Sequence, residues 1–330
     1  MKKVLTVCLI ALIAVASVFA QGASETASEA KLQKVRVAYM PNYASLCSVV
    51  AGMETGAFAE EGLEVELVEF ADGPTIIAAM ESGSIDIGYI GHGAHKLCIN
   101  GRAKIFAMSH VGNGDAVIAL QSHGIKSAAD LKGKKVGYAS GTSSETILKW
   151  TLESVGLTMN DIQAMEMDAS GIVSAMNSGS LDACAAWSPS TFIILEAGKG
   201  DAVKLSDNLT FSDRTASISS WIVMDKFAKE NRDTLIRYTR ALYKGMDYRA
   251  ANVEETCKAV AKAIGSSFDT MWAQRGDAEW ITSAELIQQV KDGSMEKLYE
   301  TQKVGFGDAA DQSAKVSDYV LFDVMLEAAK

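Results

Sequence analysis

Positive charge is scarce in this chain of 330 residues, which contains 31 lysines and arginines against 41 aspartates and glutamates. The formal net charge of −10 disfavours binding to nucleic acids and to anionic membrane surfaces. Motifs of several enzyme classes are also missing, since the sequence has no P-loop, no G-x-G-x-x-G after a strand, no G-x-S-x-G turn and no H-E-x-x-H helix. We therefore expect a protein that is not an enzyme and does not bind nucleic acid.

The five cysteines form no metal-binding or redox motif. Cys8 lies in an apolar run near the N-terminus, and the other four are scattered without C-x-x-C spacing: Cys47, Cys98, Cys184 and Cys257. An oxidising compartment permits disulfides, but these spacings assign no pairing. Because the chain is long enough to fold around its own core, we expect buried free thiols.

The first 20 residues are typical of a secretory signal. Two lysines precede the apolar run Val4–Ala16, and Val18 and Ala20 occupy the positions that predict cleavage after Ala20. The run is too short to span a membrane, and the cleavage region has no cysteine for a lipid anchor. We expect a soluble periplasmic protein that starts with a flexible polar segment at 21–32; the alternative is an uncleaved signal anchor.

Strand-like and helical patterns alternate along the rest of the chain, which predicts an α/β architecture with mostly parallel sheets. The strand candidates are Lys34–Met40, Leu63–Phe70, Ile85–Ile90, Ala116–Gln121, Lys135–Ala139, Gln163–Met167, Leu181–Ala186 and Ile218–Met224. The helix candidates are Leu46–Phe58, Thr75–Met80 and a segment from about Ser144 to Val155.

An internal duplication indicates two lobes built on one plan. Residues 72–86 align without gaps on residues 168–182, and eight of the fifteen positions are identical. Average amino-acid usage would give roughly one match by chance. In each copy an aspartate, Asp72 or Asp168, is predicted to cap a short helix, and a glycine, Gly83 or Gly179, is predicted to end it in the left-handed conformation.

Four segments together resemble the nitrate, sulfonate and taurine group of ABC-transporter solute-binding proteins, which also includes receptors for thiamine-precursor pyrimidines. The segments are 53–65, 80–88, 131–137 and 181–189. The resemblance implies a type II periplasmic-binding-protein fold, in which two α/β lobes are joined by two crossover strands around a ligand cleft. Lobe 1 would comprise 33–114 and 222–330, and lobe 2 would comprise 115–221. Ala116–Gln121 and Ile218–Met224 suit the crossover strands.

The function that this resemblance implies is capture of a small organic anion, such as an aliphatic sulfonate, taurine or nitrate, by closure of the lobes. The monomeric protein would deliver the ligand to an ABC permease with its cytoplasmic ATPase. Because the loops expected to contact ligand contain no arginine, a neutral heterocycle such as a thiamine-precursor pyrimidine stays open as the alternative. A periplasmic sensor adaptor also stays open. A thiamine-pyrimidine synthase shares the fold, but the export signal and the lack of its cysteine-rich motif disfavour that enzyme.

Ligands of open α/β sheets bind beyond the carboxyl ends of the strands, and pockets favour domain interfaces. The loop after the strand candidate at 135–139 contains Ser140, Gly141, Thr142 and Ser143 and opens a helix. Unpaired amides at a helix N-terminus can hold an anionic or strongly polar group without a basic side chain. We expect these four residues to contact the ligand. The alternative is an ordinary helix cap formed by Thr142 or Ser143.

Other strand ends supply further ligand-binding candidates. Asn42 and Tyr43 follow the first strand, where Tyr43 either forms a wall of the site or packs in the core. Gly91 and His92 follow the third strand, in a loop that the resembled family uses against ligand. Trp187 ends a strand where it could cap the cleft, with a buried core position as the alternative.

A metal site is the remaining alternative for the histidines. His92, His95 and Cys98 stand at three-residue spacing and could in principle bind a transition metal. Because no cluster of carboxylates accompanies them, we expect no metal and no cofactor.

Overall fold

The structure is a computed structural model that describes residues 32–330. The predicted signal peptide, residues 1–20, lies outside the described residues, as does 21–31 of the predicted flexible segment.

Eleven strands of the described chain form two mixed sheets. The strands are β1 Gln33–Tyr39, β2 Leu63–Glu69, β3 Ile87–Ile90, β4 Lys104–Gly112, β5 Ala116–Leu120, β6 Lys135–Tyr138, β7 Gln163–Glu166, β8 Ala183–Ala186, β9 Ala202–Asp207, β10 Ile218–Val223 and β11 Ala278–Trp280. The larger sheet has the order β11-β4-β10-β3-β1-β2, and the smaller has the order β7-β6-β8-β5-β9.

The two sheets repeat one pairing pattern, which confirms that the duplication reflects two similar halves. In the larger sheet β1 pairs in parallel with β2 and β3, and β10 joins β3 to β4 through antiparallel ladders. In the smaller sheet β6 pairs in parallel with β7 and β8, and β5 joins β8 to β9 in the same antiparallel way. Thus β5 and β10 hold equivalent places in the two sheets.

Helices cover the faces of both sheets. The α-helices are α1 Tyr43–Glu54, α2 Ala57–Glu60, α3 Gly73–Glu81, α4 His95–Ile99, α5 Ser143–Glu153, α6 Ala169–Asn177, α7 Ser190–Ala197, α8 Asp225–Glu230, α9 Arg232–Ala251, α10 Val253–Ile264, α11 Phe268–Gln274, α12 Ser283–Asp292, α13 Ser294–Gly305, α14 Val316–Tyr319 and α15 Phe322–Ala328. Short 3₁₀ helices lie at His92–Ala94, Gln121–His123, Ala128–Leu131, Met159–Asp161, Asn208–Phe211 and Gly307–Ala309.

The local chemistry of the duplicated segment is as predicted. The carboxylates of Asp72 and Asp168 accept hydrogen bonds from main-chain amides three residues on and cap α3 and α6. Gly83 and Gly179 follow these helices with φ of 77° and 70°, a conformation that glycine adopts without strain.

The helix predicted at 46–58 begins after the observed start of α1 and continues past its observed end. The pattern at 46–58 predicts one helix, but the structure has two, because Gly56 takes a φ of 77° and separates α1 from α2. Asn42 caps α1 with its side-chain oxygen, which accepts from the amide of Ser45, so the helix already begins at Tyr43.

The chain passes between the two sheets twice, at 113–115 after β4 and at 208–217 after β9. The predicted lobe boundary between 221 and 222 falls inside β10, all of which pairs within the larger sheet. The exact lobe boundaries stay a prediction.

Both faces of the smaller sheet are buried, as the alternation along β5 shows. Val117 and Ala119 pack with Trp150 of α5, whereas Ile118 packs on the opposite face with Ile172 of α6. Because each face is covered by a different helix, the sheet holds the loops at its strand ends in fixed positions.

The four cysteines of the described chain are free and buried, as expected. Within residues 32–330, no helix has the length and apolar character needed to cross a bilayer.

Candidate functional site

A cavity lies where loops from the two halves meet, beyond the ends of β1, β3, β6 and β8. Its volume is about 720 Å³, which includes the space at its open mouth. Six of the predicted ligand-binding residues line it: Asn42, Gly91, His92, Thr142, Ser143 and Trp187.

Three predicted residues lie elsewhere. Tyr43 is buried in the core formed by α1, α10 and α11, where its ring meets the Trp280 ring edge-on with centroids 5.3 Å apart. Ser140 is exposed to solvent, and Gly141 turns the chain with a φ of 76°. Neither Ser140 nor Gly141 is among the residues that line the cavity.

The N-terminus of α5 is occupied by groups of the chain itself. The Thr142 hydroxyl donates to the carbonyl of Ala139 at 2.8 Å and accepts from the amide of Ser144 at 3.2 Å. The amide of Gly141 donates to a carboxylate oxygen of Glu145 at 2.7 Å. The Glu145 charge therefore offsets the positive end of the helix dipole, and the arrangement matches the alternative of an ordinary helix cap.

We expect Thr142→Val to lower the free energy of unfolding by about 0.5–2 kcal/mol, because valine keeps the branched shape but removes the capping oxygen. Thr142→Ser keeps that oxygen and serves as the control. Urea unfolding of both variants measures the effect. Unchanged stability of Thr142→Val together with lost ligand binding would instead support the predicted ligand role.

His92 presents a buried hydrogen-bond donor at the cavity. Its side chain is 3% exposed, and its Nδ1 lies 2.9 Å from Nε2 of Gln302. The same Gln302 nitrogen donates to the carbonyl of Ile218 at 3.1 Å, so it also donates to Nδ1. Burial lowers the pKa of His92 to about 3, so the ring is neutral and carries its proton on Nε2. Within the described chain this Nε2 has no hydrogen-bond partner.

The metal alternative gains no support from the described part of the chain, where no group of three His, Cys, Asp or Glu side chains could hold a metal ion. His95 is turned towards the main chain, since its Nδ1 lies 3.1 Å from the carbonyl oxygen of Gly91.

Two carboxylates that the sequence reasoning missed face the cavity. Asp115 lies where the chain first passes between the sheets and accepts from the Ser143 hydroxyl at 2.6 Å and from the Asn208 amide at 2.8 Å. Asp277 immediately precedes β11, and its Oδ2 is shielded from solvent. Burial is the main cause that raises the pKa of each carboxyl above its ordinary value, and the charge of Asp115 also raises that of Asp277.

The cavity has no cation in its lining as far as residues 32–330 are concerned. The nearest buried guanidinium, that of Arg249, lies behind the wall, 5.4 Å from the Trp280 ring centroid, and donates to the carbonyl of Ile281. Burial and the charge of Arg249 lower the pKa of His110 to about 3, so this lining residue is neutral at pH 7.

Aromatic rings form the rest of the wall. The rings of Trp280 and His110 are 4.8 Å apart, and Tyr89 lies 6.3 Å beyond His110. Trp187, which follows β8, faces them from the other half. A wall of aromatic rings suits a flat or cationic ligand, because aromatic faces stack on rings and attract positive charge.

The two halves touch beside the cavity. Gly93 packs directly on the main chain of the opposite half, so that a Cβ atom built on it would lie 2.1 Å from the carbonyl carbon of Thr142. Lys96 of α4 also forms an ion pair with Glu145 of α5, with 3.6 Å between Nζ and Oε2. The structure therefore has the cavity enclosed from both sides.

Comparison with known proteins agrees with this architecture. The family described as "NMT1/THI5 like" matches residues 44–256. A Brucella abortus (strain 2308) protein named "Putative binding protein" is 34% identical over 261 residues, which cover 79% of this chain and 81% of that protein. A Haemophilus influenzae protein named "Putative thiamine biosynthesis protein" is 30% identical over 139 residues, covering 41% of this chain and 44% of that protein.

A solved structure shares the fold. The periplasmic aliphatic sulphonate binding protein SsuA from Escherichia coli superposes with a TM-score of 0.64 at 20% identity, covering 86% of this chain and 91% of that one.

Two α/β halves meet around a cavity at their strand ends, and the predicted type II periplasmic-binding-protein fold is confirmed. The chain belongs to the NMT1/THI5-like family, which confirms the resemblance inferred from the sequence.

Proposed function

We propose that this protein is the periplasmic substrate-binding component of an ABC importer, and that it acts as a monomer without catalysing a reaction. The enclosed cavity between two similar halves supports capture of a small solute. Two of the similar proteins are named as binding proteins, which supports the same role. A permease with its cytoplasmic ATPase would be the partner that receives the ligand.

We further propose that the ligand is a neutral or cationic nitrogen heterocycle, such as a thiamine-precursor pyrimidine, in preference to a sulfonate or nitrate. The observation that carries this choice is the charge of the lining, which has the carboxylates of Asp72, Asp115 and Asp277 and, among the described residues, no lysine or arginine. An anion about 4 Å from a carboxylate is repelled by about 4 kcal/mol at an effective dielectric constant of about 20. At the start of α5 the amides of Gly141 and Ser144 already donate to Glu145 and Thr142, so these two amides are not free to bind such an anion.

A thermal-shift panel tests this function. The panel contains an aminopyrimidine precursor of thiamine, riboflavin, taurine, ethanesulfonate and nitrate. A heterocycle present at about 100 times its Kd stabilises the folded state by about 2.7 kcal/mol, which we expect to raise the melting temperature by about 5–10 °C. A panel in which only ethanesulfonate or nitrate raises the melting temperature would contradict the proposed ligand class.

A further inference from the structure

Two residues that line the cavity each have a buried polar side-chain atom of complementary chemistry, and neither atom has a hydrogen-bond partner within the described chain. One is the Nε2–H of neutral His92, a donor, and the other is Oδ2 of Asp277, an acceptor. A buried polar group that stays unpaired costs about 1–3 kcal/mol, so such groups at a binding site indicate where a ligand completes the hydrogen bonding.

The donor character of His92 follows from contacts within its own half. Gln302 donates from one nitrogen both to Nδ1 of His92 and to the carbonyl of Ile218, and a carbonyl can only accept. The ring also stacks on Phe306 with centroids 4.9 Å apart, which fixes its orientation. Nε2 is therefore held as a donor in a set position.

The acceptor character of Asp277 follows from its surroundings. Its main-chain carbonyl accepts from the amide of Asn113, which anchors the loop, and Gly114 packs against the side chain. The Ser188 hydroxyl acts to lower the pKa of Asp277, but burial outweighs it. The nearest cation, Lys204, is paired with Asp207 at 3.2 Å. The Asp277 carboxylate is thus available to a ligand.

Asp115 adds negative charge at this end of the cavity, although its oxygens already accept hydrogen bonds from the chain. Each of its oxygens accepts one hydrogen bond from the chain, Oδ1 from Ser143 and Oδ2 from Asn208, and its charge adds to that of Asp277. A group that binds at Asp277 consequently meets two negative charges, which favour a basic nitrogen over a neutral donor.

We propose that Asp277 and His92 form a donor–acceptor pair that determines specificity, in which Asp277 accepts an N–H of the ligand and His92 Nε2 donates to a ligand lone pair. This inference rests on the proposed function and narrows its ligand class to amino-substituted heterocycles and related amines that also carry an acceptor. Ethanesulfonate and nitrate offer acceptors only and would leave Asp277 unpaired. Taurine offers an ammonium to Asp277, but its sulfonate would be buried against one neutral donor.

Calorimetry on the full chain tests the pair with two probes. One is the aminopyrimidine precursor of thiamine, and the other is its oxo analogue, in which a carbonyl oxygen replaces the amino group. We expect Asp277→Asn to bind the aminopyrimidine about 10- to 100-fold more weakly and to gain affinity for the oxo analogue, because the asparagine amide can donate. Glu279→Gln is the matched control, since Glu279 carries the same charge, is exposed and lies outside the cavity lining.

Circular dichroism and thermal melting of each variant confirm that it is folded, and Asp277→Ser replaces Asp277→Asn if the latter does not fold. If the wild type binds the aminopyrimidine and Asp277→Asn binds it equally tightly, the donor–acceptor pair is overturned while the proposed function stands. If the wild type binds only ethanesulfonate or nitrate, both the pair and the proposed ligand class are overturned.

Discussion

Gly93→Ala is expected to weaken ligand binding by about 100-fold while the free protein stays folded. A Cβ atom on residue 93 would lie 2.1 Å from the carbonyl carbon of Thr142 and 2.2 Å from the amide nitrogen of Ser143. Non-bonded carbon atoms are optimally about 3.5–4.0 Å apart, and a separation so much shorter is a severe clash, so the two halves would have to separate beside the cavity. Contacts to the ligand from Thr142, Ser143 and Trp187 would then be lost together.

The free protein tolerates the change because residue 93 lies at the contact between halves that the linking segments allow to part. The matched control is Gly276→Ala, since a Cβ atom there would meet no atom within 4 Å. Calorimetry with the aminopyrimidine and small-angle scattering with and without it measure affinity and closure. Affinity equal to that of the wild type in Gly93→Ala would show that this contact is not needed for binding.

Stability is expected to fall as the pH drops from 7.5 to 5.5, because buried histidines remain neutral in the folded protein. Burial is the largest cause that lowers the pKa of His92 and His110 to about 3 and that of His95 to about 4. The unfolded chain, with imidazole pKa values near 6.5, takes up protons first. This contribution to stability is therefore fully present above pH 6.5 and is lost as the pH falls towards the folded values.

For each pH unit below 6.5, each of these buried histidines lowers the free energy of unfolding by about 1.4 kcal/mol. The raised pKa values of Asp115 and Asp277 act in the opposite direction, so we expect a net loss of about 2–4 kcal/mol at pH 5.5. Urea unfolding at the two pH values, without ligand, provides the measurement. Equal unfolding free energies would show that these rings are accessible to protons in the folded state.

Local signals in the sequence were sufficient for much of the fold. The capping aspartates Asp72 and Asp168 and the left-handed glycines Gly83 and Gly179 act through hydrogen bonds that span only a few residues. Their roles could be predicted because the partners are adjacent in the sequence. Asn42 carried the same kind of signal, and recognising it as a cap would have placed Tyr43 in a helix facing the core.

The charge of the site could not be predicted in the same way. Asp277 precedes a strand of only three residues, β11, which ends at Trp280 and pairs at the edge of the sheet with β4 from far along the chain. No periodic pattern marks so short a strand, and its position depends on long-range packing. Asp115 was visible at the start of a predicted strand, but only the meeting of the two halves brings it to the same cavity as Asp277.

The expectation of an anionic ligand rested on the family resemblance and on free amides at the helix that follows β6. In the structure Glu145, from the first turn of that helix, reaches back to the amide of Gly141, and Thr142 caps the amide of Ser144. A glutamate near the start of a helix is a known signal of such self-capping. Its presence at 145 was the indication in the sequence that the chain itself caps part of this helix end.

Calorimetric titration of the ligand-free wild-type protein with the aminopyrimidine precursor of thiamine, in parallel with ethanesulfonate, tests the charge of the binding site most directly. The expected result is one-site binding of the aminopyrimidine and no heat of binding with ethanesulfonate, since three carboxylates line the cavity and its lining, within the described residues, holds no cation. Saturable binding of ethanesulfonate without binding of the aminopyrimidine would contradict it.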